Sequence, residues 1–289
     1  MEDDSRAPDA QESLHFWLEP DGPEVVTRSE IAVVAGYTGR DRDDVLRHVR
    51  ELEEQGIAPP PGVPMFYSVP PGLITHGETL VTAEFDTSGE AEVGLIVHDG
   101  EEYVTVVSDH TDRAAERLDI PLSKRACHKV IASSVWRLRD VVDHWDTLQL
   151  RSWVGDDAAD PYQDGLLGSL LAPHELLAAI PWRTAPRTFV LLCGTLPTIG
   201  GIRPSSRFRA ELYDPVLERR LLVDYRVVVL DFVKPLVTTQ APAGDRLGLG
   251  QLARAALEFG ADGNRDRSPS HTSHGNVEQR LRPDPGSDT

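Results

Sequence analysis

The stretch SGEAEVGLIVHDGEEYVTVVSDHTDR, residues 88–113, decides the expected fold. Two runs rich in β-branched residues, 91–98 and 102–108, flank the pair Asp99-Gly100. An Asp-Gly turn between two such runs is typical of a β-hairpin. The sequence therefore predicts two antiparallel strands whose open ends lie side by side.

Three carboxylates mark the open end of this predicted hairpin. Glu90 and Glu92 are two positions apart, so a strand places them on one face, and Asp109 ends the partner strand. Three carboxylates with no neighbouring thiol form a hard oxygen site that suits Mg²⁺ or Mn²⁺. The alternative is a solvated strand face, because Glu-x-Glu is common in an acidic protein. The residues alone leave both interpretations open.

A second candidate site lies on a predicted helix, 41–55, which Asp41 or Asp43 can cap. His48 and Glu51 are three positions apart, so their side chains can meet on that helix. A carboxylate on one ring nitrogen fixes the tautomer and leaves the other nitrogen as a general base. A surface helix with scattered charges explains the same residues.

Lysine is rare, because the chain contains only Lys124, Lys129 and Lys234. Lys124 follows Asp109 by 15 positions and can pair with an anion at the carboxylate site or lie on the surface. Farther along, Gly194-Thr195 follows an apolar run without the Gly-Lys-Ser/Thr ending of a phosphate loop. Its backbone N–H groups and the threonine hydroxyl can hold a substrate carboxylate, or form a plain turn.

Composition restricts the class of partner. Asp and Glu number 47 against 29 Lys and Arg, a net charge of −18, which argues against nonspecific binding to nucleic acid or to anionic membranes. The acidic start has no apolar signal segment and no 18-residue apolar run occurs, so we expect a soluble cytoplasmic protein.

Strand patterns dominate the rest of the chain, without the regular strand–helix alternation of a doubly wound sheet. We expect an α+β fold that is predominantly β, with short peripheral helices. Beyond the central hairpin, the pattern predicts a hairpin over 14–28, strands over 79–85, 187–196, 206–213 and 219–233, two short helices over 165–180, and a helix over 250–259.

Several short motifs, in this order, resemble the fumarylacetoacetate hydrolase superfamily over residues 31–233. They are HVRE (His48, Glu51), PPPGVPMFY, EAEVGLIV (Glu90, Glu92), SDHTDR (Asp109, Thr111, Arg113), SK (Ser123, Lys124), YQDG and GTLPTIGG (Gly194, Thr195). The wording of SDHTDR and CGTLPTIGGIRP looks closest to a little-characterised bacterial branch that carries a domain of unknown function.

The resemblance implies a mixed β-sandwich roll and an enzyme that binds Mg²⁺ or Mn²⁺. By that resemblance Glu90, Glu92 and Asp109 are metal ligands. His48 is then the general base and Glu51 orients it, while the substrate contacts are Lys124, Thr195 and Arg113. The implied reaction is hydrolytic C–C cleavage of a 2-oxo acid, acylpyruvate or related small carboxylate through a metal-stabilised enolate.

The same resemblance leaves other reactions open. A decarboxylase or dehydratase can use the same metal and enolate, and a non-catalytic member would bind a small carboxylate only. Only 17 positions separate Glu92 from Asp109, fewer than is usual in the superfamily, and its customary lysine is missing near Ser68 and Val69. A homodimer is the expected assembly.

The expected organisation has four parts. Residues 1–13 form a disordered acidic N-terminus, and 14–60 form a small region with a hairpin and a lid helix. Residues 61–240 form the fumarylacetoacetate hydrolase-like core. Residues 241–289 form a short helix and a disordered tail.

Overall fold

The computed structural model describes residues 13–54, 59–156 and 159–230. Among the helices and strands of these residues, β-strands predominate. The strands are β1 (Leu14–Leu18), β2 (Glu24–Thr27), β3 (Ile31–Gly36), β4 (Met65–Val69), β5 (Ile74–Thr75), β6 (Thr79–Thr82), β7 (Thr87–Ser88), β8 (Ala91–His98), β9 (Glu101–Ser108), β10 (Thr111–Asp112), β11 (Lys129–Ile131), β12 (Ser134–Arg137), β13 (Gln149–Val154), β14 (Gln163–Leu166), β15 (Thr188–Thr195), β16 (Arg207–Asp214) and β17 (Arg219–Val229). The α-helices are α1 (Arg42–Glu54), α2 (Arg113–Glu116), α3 (Ile120–Ala126) and α4 (Pro173–Ala179).

The predicted central hairpin is confirmed as the middle of a ten-stranded mixed sheet. Strands β8 and β9 pair in antiparallel register, with His98 opposite Glu101 and Ala91 opposite Ser108. The sheet runs in the order β2-β1-β12-β9-β8-β15-β3-β4, and β11 and β5 extend it beside β9. A five-stranded sheet has the order β14-β13-β16-β17-β6, and β7 pairs with β10.

The centre of the large sheet is buried on both faces. On β15, Leu191 belongs to the core cluster shared with the five-stranded sheet, and its neighbour Leu192 belongs to the cluster on the opposite face. Successive strand residues point to opposite faces, so β8 and β15 read as continuous apolar runs rather than alternating ones. This double burial makes the strand ends beside Glu90 and Glu92 a rigid support.

The other local predictions have mixed outcomes. The 14–28 hairpin, the 41–55 helix and the strands over 187–196 and 206–213 are confirmed, with ends displaced by a few residues. The prediction of two helices over 165–180 is wrong for its first half, because Gly165 and Leu166 end β14 against Leu150 and Gln149 of β13, and a 3-10 turn follows. Strand pairing outweighs local helix preference there.

Some predictions lie outside the described residues. These are the acidic start through residue 12, the end of the strand predicted over 219–233, the 250–259 helix and the tail. Within the described residues, no helix is long and apolar enough to cross a membrane.

Candidate metal centre

The hairpin brings the three predicted carboxylates together. Glu90 directly precedes β8, Glu92 lies in it, and Asp109 directly follows β9. The Asp109 backbone N–H donates to the Glu90 carbonyl at 2.9 Å, which continues the strand pairing past Ser108. One carboxylate oxygen from each of the three residues lies within 4.8 Å of the other two.

Lys124 adds a cation from helix α3. Asp119 caps this helix by accepting the Leu122 backbone N–H at 2.7 Å, which fixes where the helix starts. The Lys124 Nζ lies 2.5 Å from Asp109 Oδ2 and 3.2 Å from Glu90 Oε2. Burial alone would lower the pKa of Lys124, but the neighbouring carboxylates outweigh burial and raise its pKa. The lysine is therefore held as an ammonium ion between two of the three carboxylates.

Lys129 is a second lysine at the same carboxylate, and the sequence alone gave it no role. It begins β11, whose register with β9 pairs Val130 with Ser108 and so places Lys129 beside Asp109. Its Nζ lies 2.7 Å from Asp109 Oδ1 and donates to the His110 carbonyl at 2.7 Å. Burial would raise the pKa of Asp109, but the two ammonium groups outweigh burial and lower it to about 2.

Glu90 is paired from its other side by a buried arginine. Arg113 Nη2 lies 3.0 Å from Glu90 Oε1, and its Nη1 donates to Glu116 Oε2 at 2.6 Å. Arg113 Nε also donates to the Ser88 hydroxyl at 2.7 Å. The guanidinium predicted as a substrate contact thus positions Glu90 in this structure.

Glu92 receives a backbone donor instead of a cation. The Gly194 N–H donates to Glu92 Oε2 at 2.7 Å. Gly194 has φ of +94°, and a Cβ at this position would lie 1.9 Å from Thr38 Oγ1, so only glycine fits. Burial, followed by repulsion from Asp109, raises the pKa of Glu92 well above its usual value. A cation bound beside Glu92 would stabilise its ionised form.

Thr195 is part of the strand framework around Glu92. Its hydroxyl donates to the Ala91 carbonyl at 2.8 Å and accepts from Gln163 Nε2 at 2.7 Å. Gln163 Oε1 accepts the Ala91 N–H at 2.9 Å, so Thr195, Ala91 and Gln163 form a closed ring of hydrogen bonds. Gln163 belongs to the YQDG motif, so the motif marked this position without indicating its role.

A neutral histidine lies behind Asp109. His110 Nδ1 is 2.8 Å from the Tyr225 hydroxyl, and its Nε2 is 2.9 Å from the Thr87 hydroxyl. Burial, followed by the positive charges of Lys129 and Arg113, lowers the pKa of His110 to about 3. Both ring nitrogens are occupied, so His110 supports the strand ends and is not placed to act as a base.

The predicted base and its orienter lie in solvent. His48 Nδ1 and Glu51 Oε2 are 3.6 Å apart on α1, so the predicted pairing on one helix face is confirmed. Their side chains are 61% and 56% exposed, in contrast to the buried carboxylates. The helix start is fixed as predicted, because Asp41 Oδ1 accepts the Asp43 and Asp44 backbone N–H groups.

The donor set fits a hard divalent cation. The cluster of Glu90, Glu92 and Asp109 offers only carboxylate oxygens, which Mg²⁺ and Mn²⁺ prefer over nitrogen or sulfur ligands. The three side chains stand on strand ends whose positions are fixed by ladder hydrogen bonds.

Comparison with known proteins identifies a family and a fold. Residues 35–225 match the sequence model of a family described as "Protein of unknown function (DUF2848)". No curated protein sequence matches the chain.

Several solved structures resemble this one in fold. A candidate fumarylpyruvate hydrolase from Burkholderia cenocepacia has a TM-score of 0.55 at 15% identity, covering 80% of this chain and 100% of its own. The fumarylpyruvate hydrolase from Pseudomonas aeruginosa, in complex with Mn²⁺ and pyruvate, has a TM-score of 0.51 at 14% identity, covering 79% of this chain and 100% of its own. A 2-keto-3-deoxyarabinonate dehydratase has a TM-score of 0.52 at 14% identity, covering 72% of this chain and 78% of its own. The fold is thus of the fumarylacetoacetate hydrolase type.

Proposed function

We propose that this chain, which belongs to the DUF2848 family, is a metal-dependent hydrolase. It would cleave a C–C bond in a 2-oxo acid, acylpyruvate or related small carboxylate. The observation that carries the proposal is the convergence of Glu90, Glu92 and Asp109 within 4.8 Å at the end of a rigid hairpin. A structural neighbour that is a fumarylpyruvate hydrolase in complex with Mn²⁺ and pyruvate supports the reaction class.

The three carboxylates would hold Mg²⁺ or Mn²⁺. When bound, the cation would polarise a substrate carbonyl and stabilise the negative charge that develops as the C–C bond breaks. Lys124, which lies between Glu90 and Asp109, would bind the substrate carboxylate, and Thr195 and Arg113 would flank it. Each of these roles can be separated by substitution.

The proton transfer is assigned to helix α1. Glu51 would accept a hydrogen bond from the Nδ1–H group of His48, which leaves Nε2 to take a proton from the attacking water. A general base must come within about 3 Å of that water. We therefore propose that α1 closes over the carboxylates when substrate binds.

A dehydratase is the second candidate, since one structural neighbour is a 2-keto-3-deoxyarabinonate dehydratase. Incubating the Mg²⁺-loaded protein with acylpyruvates and with 2-keto-3-deoxy acids separates the two activities. Hydrolysis yields two shorter carbonyl products, whereas dehydration retains the carbon chain. The proposed homodimer is checked separately, by light scattering on the purified protein.

Metal binding tests the proposal directly. Titrating Mn²⁺ into Glu92→Ala should give no measurable binding, because one of three anionic ligands is lost. Glu101→Gln is the matched control, since Glu101 lies on the same hairpin at its exposed turn end, and it should bind as the parent does. At 100 times its Kd, Mn²⁺ should stabilise the parent by about 2.7 kcal/mol. Equal binding by Glu92→Ala and the parent would show that the metal site is misplaced.

A further inference from the structure

Lys129 is a fully buried charge that the proposed reaction does not use. Its position follows from the pairing of β11 with β9, and its Nζ lies 2.7 Å from Asp109 Oδ1. Asp109 already has an ammonium partner in Lys124 at 2.5 Å. Burying a second ammonium group has a large desolvation cost. At this distance its positive charge also acts strongly on the other charged groups of the site.

The charges in contact around the carboxylates can be counted. We call this set the charged cluster; its anions are Glu90, Glu92, Asp109 and Glu116, and its cations are Lys124, Lys129 and Arg113. When metal binding keeps Glu92 ionised despite its raised pKa, the side chains of the charged cluster carry one net negative charge, and the divalent cation changes the total to one net positive charge. Without Lys129, the corresponding charges are two negative and zero.

We propose that Lys129 sets the balance between the two ligands of this site, lowering its affinity for the free divalent cation and raising the affinity of the metal-loaded site for a small anionic carboxylate. The inference rests on the proposed function. It implies that the metal is held most firmly when an anionic ligand is also present, and that neutral analogues of the ligand bind poorly.

A purely supporting role predicts the opposite effect on the metal. Side chains that hydrogen-bond to a metal ligand hold it in place, and their loss usually weakens metal binding by about 10–100-fold. Removal of a repelling charge strengthens it, and a unit charge a few ångströms away in a partly buried site is worth about tenfold or more. The sign of the change therefore distinguishes the two roles.

Two variants of Lys129 separate charge from hydrogen bonding. Lys129→Gln removes the charge but keeps a donor for Asp109, whereas Lys129→Arg keeps the charge. Calorimetry measures Mn²⁺ binding to each protein and then oxalate binding to the Mn²⁺-saturated protein, with circular dichroism as the check of folding. We expect Lys129→Gln to bind Mn²⁺ about tenfold more tightly and oxalate about tenfold more weakly. Lys129→Arg should stay within about threefold of the parent for both ligands.

Other outcomes overturn the inference. Weaker Mn²⁺ binding or unchanged oxalate binding in Lys129→Gln would leave Lys129 a supporting role only. If Lys129→Gln does not fold, Glu116→Gln carries the test, because Glu116 is 25% exposed and its loss shifts the charge in the opposite direction. Weaker Mn²⁺ and tighter oxalate binding in Glu116→Gln then support the inference, and unchanged values overturn it. Absence of Mn²⁺ binding in the parent and in every variant would overturn the proposed function as well.

Discussion

The carboxylates and the proposed base occupy opposite environments in this protein. Glu92 and Asp109 are buried at strand ends, with backbone or ammonium partners at hydrogen-bond distance. His48 and Glu51 lie on an amphipathic helix with more than half of each side chain in solvent. A metal site requires ligands held in a fixed geometry, whereas a general base on a mobile helix leaves the site open for substrate to enter.

The connection between the two regions limits how α1 can move. Thr38 is buried, and its carbonyl accepts the Leu171 N–H at 2.8 Å. Arg40 forms a two-pronged ion pair with Asp146 at 2.7 Å. The sequence Gly36-Tyr37-Thr38-Gly39 suggests a hinge, yet its end is anchored to the core. A closing motion that moved the Gly36–Arg40 segment would therefore have to break these contacts.

The largest expected effect comes from replacing His48, the proposed general base on the exposed helix α1. His48→Ala should lower kcat by about 10²–10⁴-fold, the usual contribution of a general base. Mn²⁺ affinity should hardly change, because His48 is not a ligand. Both are measured on one sample, with the acylpyruvate or 2-keto-3-deoxy acid that the parent turns over. Normal turnover in this variant would show that His48 is a surface residue of α1 without a catalytic role.

The second-largest effect is expected from a substitution that disturbs the surroundings of the buried carboxylates. Gly194→Ala forces a Cβ against Thr38 Oγ1 and strains a backbone at φ +94°, at a cost of about 1–3 kcal/mol from strain alone. The Glu92 hydrogen bond should shift, so Mn²⁺ affinity should fall. Gly201→Ala is the control, since Gly201 has φ of +83° with no atom within 4 Å of its Cβ position. Equal Mn²⁺ affinities in the two variants would argue against a role for the Gly194 N–H.

A pH measurement sharpens the comparison of buried and exposed histidines. The folded protein keeps His110 neutral down to a pKa of about 3, whereas the unfolded chain takes up that proton near pH 6.5. Stability should therefore fall as the pH drops through this window. His110→Asn should reduce the slope of the unfolding free energy by about one proton, or about 1.4 kcal/mol per pH unit. Urea unfolding between pH 7 and 4 measures it, with His48→Ala as the exposed control. An unchanged slope in His110→Asn would show that His110 is charged when folded.

The smallest effect is expected for the orienter. Glu51→Gln keeps the size of the side chain but removes its charge from a pair separated by 3.6 Å. We expect kcat to fall by less than in His48→Ala, with Mn²⁺ affinity unchanged. A loss equal to that of His48→Ala would mean that Glu51 transfers a proton itself.

Much of the site was predictable because it is local in sequence. The Asp99-Gly100 turn fixes the register of β8 and β9, and the register places Glu90 and Glu92 beside Asp109. The His48–Glu51 pair follows from helical spacing within a single turn. Periodicity and turn chemistry act over a few residues, so one sequence is enough to reveal them.

The sequence by itself determined the predominantly β class, the central hairpin and the three carboxylates at its open end. Only the tertiary structure decided which cations face them, because Lys124, Lys129 and Arg113 arrive on α3, β11 and α2. Lys129 is one of three lysines in the chain, yet its burial beside Asp109 depends on how a three-residue strand pairs with β9. Likewise, the Gly194 N–H reaches Glu92 across 102 positions of sequence. Long-range pairing is governed by the packing of whole sheets, and no local pattern encodes it.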